Sequence, residues 1–243
     1  MNHPLSYEIS FGLPPQFSYI LLLLISISGP FILSFDKKVA FYKEWKFLFK
    51  PVFFVSLGYV VWDILFTKIG IWQFNKSFLL NIFLSELPLE EYGFFIVVPY
   101  ASAFVYSCLL AYFPTITNKY NSILNGTIIL FSILLMAYAP LKMYTWTTLG
   151  LLVISIIYWQ YKAPNRNIQY LYLAWLICII PMLYVNGVLT GKPILIYNNL
   201  ENCGIRIGTI PLEDFFYHLL YMIWMIHLFE YNKESTLTKR QNP

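Results

Sequence analysis

Pro88-Leu89-Glu90-Glu91-Tyr92-Gly93-Phe94-Phe95 and Pro211-Leu212-Glu213-Asp214-Phe215-Phe216-Tyr217-His218 are two copies of one acidic motif, 123 residues apart, each opening a long apolar stretch. Carboxylates at the mouth of a membrane helix are costly to keep and mark substrate paths, proton relays or acid–base sites. A proline there suits the first turn of a helix, where no backbone N–H is needed. Glu90, Glu91, Glu213 and Asp214 then fall in first turns, where they also complement the helix dipole, which is the plainer role for such a pair. Adjacent helical residues project about 100° apart, so one carboxylate of each pair can face a given cavity. The helix start favours the ionised acid, whereas low dielectric and a second carboxylate favour the protonated one, which could donate a proton near neutral pH. The sequence leaves that contest open.

The motifs have polar companions at the same spacing. Without a gap, Asp63 aligns with Asn186, Thr67 with Thr190, Phe74 with Tyr197 and Asn75 with Asn198. Asp63 lies in an otherwise apolar stretch after Trp62, and an intramembrane acid usually points to a cavity or a partner. Asn186 keeps the hydrogen bonding and lacks the charge, so the two halves are not chemically equivalent. His218 follows Asp214 by four residues, one helical turn on; His227 lies towards the other end of the same stretch, and structural roles suit both. Trp62, Trp72, Phe74, Tyr92, Phe94 and Phe95, with Phe215, Phe216 and Tyr217, gather around the motifs. Aromatic faces stabilise a cation without attacking it.

Elements that position these groups must cross a membrane. Hydrophobic residues make up 58% of the 243 residues and charged residues 12%, far from the composition of a soluble domain. The net charge of +4 does not signal nucleic acid, because Lys and Arg collect in a few loops. Cys108, Cys178 and Cys203 show neither metal nor disulfide spacing. Dinucleotide, Walker, G-x-S-x-G and H-E-x-x-H motifs are absent, as is the Asp-x-x-x-Asp pattern expected for a diphosphate held through magnesium. The chain reads as an all-α integral membrane protein with seven transmembrane helices near 17–35, 51–67, 93–113, 123–141, 143–161, 169–189 and 215–230. No Lys or Arg precedes the first stretch, so 17–35 is expected to be a retained span rather than a secretory signal. Gly29-Pro30 and Pro181 are expected to kink the first and sixth spans.

The duplication makes this a parallel 3+1+3 internal repeat: 1–121 the first three-span unit, 122–142 a linking span, 143–232 the second unit and 233–243 a tail. Three spans end on the side opposite their start, and one added span restores it. Both motifs then lie at one membrane face. Lys37, Lys38, Lys43, Lys46, Lys50, Lys119, Lys162, Arg166, Lys233, Lys239 and Arg240, most of the 16 basic residues, fall at the other face. That face should be cytoplasmic, with the N-terminus and motifs outside and the C-terminus inside the cell membrane. The long connection 68–92 contains Phe78–Leu84, apolar but too short to span, expected to lie in the interface or dip in as a cap.

At Asp63, Thr67, Trp72, Phe74, Asn75 and the two Pro-Leu-Glu-Glu/Asp motifs the chain resembles the heterodimer-type lycopene cyclases, in which two small membrane subunits, or one fused chain, form the enzyme. The resemblance covers about 1–232 and departs at Asn186 and at Leu195, which stands where the first half has tryptophan. It implies conversion of the open ends of lycopene to β-ionone rings by acid–base, carbocation-mediated isomerisation without net redox. It implies a lipophilic carotenoid substrate, a bilayer setting, possible contact with other carotenoid-pathway enzymes, and neither cofactor nor metal. Glu90 and Glu213 are then the leading acid/base candidates, with Glu91, Asp214 and Asp63 as supporting carboxylates. Trp62, Trp72, Phe74, Asn75, Tyr92, Phe94 and Phe95 from the first half, and Asn186, Asn198, Phe215, Tyr217 and His218 from the second, are substrate-binding candidates. A cyclase of longer carotenoids or of another ring isomer, a small cation- or proton-coupled transporter with a polar path to both faces, and a scaffold whose acids pair with surface Lys or Arg are the competing readings.

Overall fold

A computed structural model describes residues 14–116, 120–164, 166 and 168–241, with the side chains of 237–241 left out. The segment before the first span, Lys119, and the side chains of Lys239 and Arg240, all used in the charge reading, lie outside the described residues. Seven long helices are present among those described: α1 (Ser18–Leu33), α2 (Trp45–Lys68), α3 (Leu89–Tyr112), α4 (Asn121–Tyr138), α5 (Met143–Lys162), α6 (Ile168–Gly191) and α7 (Leu212–Gln241). Five of these segments, all but α5 and α7, are apolar and long enough to cross a membrane by their own composition. α7 carries the second motif, His218 and His227, yet packs against α2, α3, α5 and α6. Protein rather than lipid therefore surrounds its polar groups, and Leu219, Met222, Ile223 and Met225 are completely buried. The chain is an all-α membrane protein, and α7 extends beyond the expected span through the segment expected to be a tail.

Short strands join the two halves. β1 (Trp72–Phe74) pairs antiparallel with β4 (Leu195–Tyr197), with Gln73 opposite Ile196 at the centre. Those two residues are 123 apart, so equivalent strands pair about a pseudo-twofold axis. Flanking bonds obey the same symmetry: Asn75 N–H donates to Ile194 O over 2.9 Å, and Asn198 N–H to Ile71 O over 2.8 Å. Before each motif a tight hairpin forms, β2 (Phe83–Leu84) with β3 (Leu87–Pro88), and β5 (Arg206–Ile207) with β6 (Ile210–Pro211). Helices α2 and α6, and the starts of α3 and α7, also correspond at the 123-residue spacing. Both motif-bearing helices begin on the hairpin side, which makes the repeat parallel.

The expected cap at 78–84 packs down onto the bundle: Leu79 is completely buried with Tyr19, Leu22 and Val188. Prolines inside the helices are used rather than tolerated. A helix proline frees the carbonyl four residues earlier. Pro99 frees Phe95 O, which accepts from Ser56 Oγ at 2.6 Å and Tyr221 OH at 3.4 Å. Pro51 frees Phe47 O, which accepts from Asn232 Nδ2 at 2.8 Å. The Tyr221 and Asn232 bonds tie α3 and α2 to α7, and the Ser56 bond ties α2 to α3. α1 and α6 continue through Pro30 and Pro181.

Candidate active site

Each hairpin docks onto the helix that follows it through the first acid of the motif. Glu90 Oε1 accepts Leu80 N–H over 2.6 Å, and Glu213 Oε1 accepts Cys203 N–H over 2.6 Å. Leu80 and Cys203 are equivalent in the repeat. Glu213 Oε1 also accepts from Thr145 Oγ1 on α5 at 2.5 Å. The turns require left-handed backbone at the same places: Asn81 (φ 61°) and Ser85 (φ 56°) in one half, Gly204 (φ 78°) and Gly208 (φ 63°) in the other. Glycine takes that conformation without cost, whereas Ser85 is held there by its hairpin.

The second acids, Glu91 and Asp214, face one shared cavity. Glu90 and Glu213, expected to face it, do not line it; the azimuth of α3 and α7 turns the neighbouring carboxylate inward. Tyr19 OH donates to Glu91 Oε2 at 2.7 Å. Asp214 accepts from Tyr144 OH at 2.7 Å, Tyr197 OH at 2.9 Å and Asn186 Nδ2 at 3.1 Å. Asp63, near the end of α2, accepts from Trp72 Nε1 at 2.5 Å and lines the same cavity as Glu91. Its second oxygen is buried without a hydrogen-bond partner. His218 Nε2 bonds Ser102 Oγ at 3.0 Å, and its Nδ1 is likewise buried and unpaired.

The cavity encloses about 1060 Å³, its open mouth included, the scale of a small-molecule site. Beside these acids the lining includes Ser26, Ser102, Asn186 and His218, and the rest is mainly apolar and aromatic: Trp72, Phe74, Phe94, Phe95, Tyr217 and Tyr221, with Val185 and Leu189 from α6. Its carboxylates are buried and none forms an ion pair among the described residues. The two ion pairs there, Arg166–Glu234 and Lys233–Glu44, belong to other residues.

The expected substrate-binding residues divide. Trp72, Phe74, Phe94, Phe95, Asn186, Tyr217 and His218 line the cavity. Asn75 and Asn198 do not; each side chain accepts a backbone N–H two residues on, from Ser77 and Leu200, both at 3.0 Å, and shapes a turn. Tyr92 reaches outward to Leu84 O at 2.8 Å. Phe215 packs against Met182 and Ile210 behind the wall, and Trp62 sits among Tyr59, Phe66 and Tyr217. His227 stacks on Trp159 at 4.5 Å, far along α7 from the acids.

The tyrosines that hold the acids were not among the sequence candidates. Tyr19 and Tyr144 are each the second residue of their helices, α1 and α5. A signal existed: they correspond between halves if the spacing is relaxed by two residues. Tyr197 stood in the gapless alignment opposite Phe74, but its phenol was indistinguishable from an interfacial aromatic.

Fold and site together define a multi-span membrane protein with an acid-lined, largely aromatic-walled chamber to which both halves of an internal repeat contribute. The profile of the lycopene cyclase family matches residues 16–109 and 141–232, one segment in each half, and the chain belongs to that family. No curated protein and no solved structure matches it.

Proposed function

We propose that the chain cyclises the open ends of a linear carotenoid, lycopene in the first instance, to β-ionone rings, as a fused form of the two-subunit cyclases. The observation that carries this is the pair Glu91 and Asp214, buried in one apolar chamber with unlike partners, in a chain of the lycopene cyclase family. Asp214, with three donors around it, suits a carboxylate that accepts a proton. Glu91 has one side-chain donor, Tyr19, and shares the chamber with Asp63, whose second oxygen has no partner, so these two carboxyls are the ones suited to bring a proton to the substrate. That pair is the donor in this reading.

The donor protonates the terminal carbon–carbon double bond and leaves a tertiary cation. The neighbouring double bond supplies its electrons to the cation, closing the six-membered ring and moving the positive charge into it. Asp214 removes a ring proton, whose C–H electrons form the new double bond. One proton enters and one leaves, so the product is an isomer. Aromatic walls lower the energy of both cations, and exclusion of water prevents their capture. Glu90 and Glu213 are positioning residues that fix the hairpins over the chamber. The motif face is the outer one in this reading, with the C-terminus cytoplasmic.

Transport is disfavoured by the completely buried Leu219, Met222, Ile223 and Met225, which fill α7 between His218 and His227. A scaffold role is disfavoured because the cavity acids have no ion-pair partner among the described residues. Expression in lycopene-accumulating cells followed by pigment chromatography tests the proposal. New ringed carotenoids are expected; an unchanged pigment profile with the protein present in the membrane refutes it. The same chromatogram identifies the ring isomer and whether longer carotenoids are used.

A further inference from the structure

The repeat creates two equivalent seams, one between α1 and α6 and one between α5 and α2. The cavity occupies the first. Met182, Val185, Leu189, Phe94 and Val98 line it there. At the 123-residue spacing their counterparts are Tyr59, Trp62, Phe66, Tyr217 and Tyr221. These rings pack on one another: Tyr59 lies 4.8 Å from Tyr217 and 4.6 Å from Tyr221 between centroids, and Trp62 lies 5.1 Å from Tyr217 and 5.6 Å from Phe66. Bulky rings thus stand where the first seam has largely aliphatic side chains and open space. Asp63 and Tyr144 are the lining residues from α2 and α5 among those described.

The open seam leads sideways. α1 and α6 close on each other at the motif end through Tyr19, Leu22, Leu23, Val185 and Leu189. About 10 Å deeper, at 1.5 Å rise per residue, the lining reaches Ser26 on α1, half-buried, and Pro181 on α6, exposed. Their neighbours Leu24, Ile25, Ile180 and Leu183 are exposed apolar residues on membrane helices.

We infer that the chamber is a blind sac with one mouth, opening to the bilayer between α1 and α6 at Ser26 and Pro181, and that Tyr59, Trp62, Phe66 and Tyr217 seal the equivalent seam. Its occupant is one end of a long linear polyene, entering from the lipid while the remainder stays in the bilayer. This rests on the cyclase reading above. A carotenoid has two ends and the sac takes one, so each binding event closes one ring. A two-ringed product requires release and re-entry by the other end.

The test uses the full-length protein in proteoliposomes with lycopene in large molar excess. One-ringed carotenoid is expected to accumulate beyond the enzyme concentration before two-ringed product appears. Isotopically labelled one-ringed carotenoid added during the reaction should enter the two-ringed product in proportion to its share of the bulk pool. A one-ringed product that never proceeds further agrees equally with the blind sac. Two-ringed product made from the first turnover, without mixing with the added label, overturns it. Absence of any ring closure overturns the cyclase reading itself and this inference with it. Val185→Trp and Ser26→Trp should each lower turnover by about tenfold or more, because access limits the rate. Leu134→Trp on α4, 59% exposed and away from the chamber lining, should stay within about twofold, as surface changes do. Full turnover in both the chamber-wall variant Val185→Trp and the mouth variant Ser26→Trp places the substrate's route elsewhere and also overturns the inference.

Discussion

Asp63 and Asn186 occupy the same position in the two repeats, and both line the cavity that Glu91 and Asp214 face. Asn186 donates an N–H to Asp214, whereas Asp63 has no N–H to give Glu91 and holds one oxygen buried and unpaired. Duplication supplies a pair of carboxylates, and the substitutions Asp63/Asn186 and Phe74/Tyr197 surround them with unlike hydrogen-bond partners. A site that must both give and take a proton needs that inequality.

Asp63→Asn makes the first half resemble the second. Cyclisation is expected to fall by about 10²-fold or more, the scale of lost general acid catalysis, while membrane levels stay near normal. Pigment conversion at matched protein levels checks this. Unchanged conversion removes Asp63 from the donor pair.

The adjacent carboxylates of each motif should separate in effect. Glu91→Gln and Asp214→Asn are expected to abolish ring formation in a protein that still inserts. Glu90→Gln and Glu213→Gln weaken the hairpin anchor by about 1–3 kcal/mol, the range for disturbing a buried hydrogen bond. Their activity should follow the folded fraction measured by thermal unfolding in detergent. The reverse ranking would return the acid–base role to Glu90 and Glu213.

Tyr144→Phe and Tyr197→Phe each remove one donor from Asp214 while keeping the ring. Each is expected to lower turnover, with the double variant worse than either, since a shared carboxylate couples the two bonds. Turnover of purified variants in proteoliposomes is the measurement. If the double variant matches the native protein, Asp214 does not depend on those phenols.

Neither half contains a whole chamber. Tyr19, Asp63 and Glu91 come from one repeat; Tyr144, Asn186, Tyr197 and Asp214 come from the other. Segments 1–121 and 142–243 expressed separately should be inactive and should regain some cyclisation when co-expressed, helped by the β1–β4 pairing. Full activity from either segment alone is incompatible with a shared site.

A reporter fused after Pro243 should read as cytoplasmic, and one placed in the 198–203 loop as external, following the distribution of Lys and Arg. Opposite readings invert the orientation without altering the site.

Much of the fold is legible along the chain because its signals are local. Seven apolar runs appear directly, since lipid-crossing length is a property of consecutive residues. The 123-residue repeat is visible although identities are few, because its polar positions and proline-led motif keep a gapless spacing. α5 and α7 blur the pattern: their polar groups are tolerated inside the bundle, and composition by itself separates them from the five strongly apolar segments. Asn75 and Asn198 also show where the reading runs out. Their repetition marks importance, but a turn-forming side chain and a ligand-binding one look alike in sequence.

The sequence by itself determined the membrane class, the duplication, the placing of paired acids at two helix starts and the chemical inequality of Asp63 and Asn186. The tertiary structure decided which acid of each pair turns inward, because a 100° difference between neighbours is resolved only by the way α3 and α7 pack against the rest of the bundle. It also decided which tyrosines hold those acids, since Tyr19 and Glu91, or Tyr144 and Asp214, meet across about 70 residues of chain. Finally it decided that the cavity lies along α1 and α6 while rings pack at the equivalent positions, because ring size at Tyr59, Trp62 and Phe66 acquires meaning only when those rings meet one another, Tyr217 and Tyr221 in space.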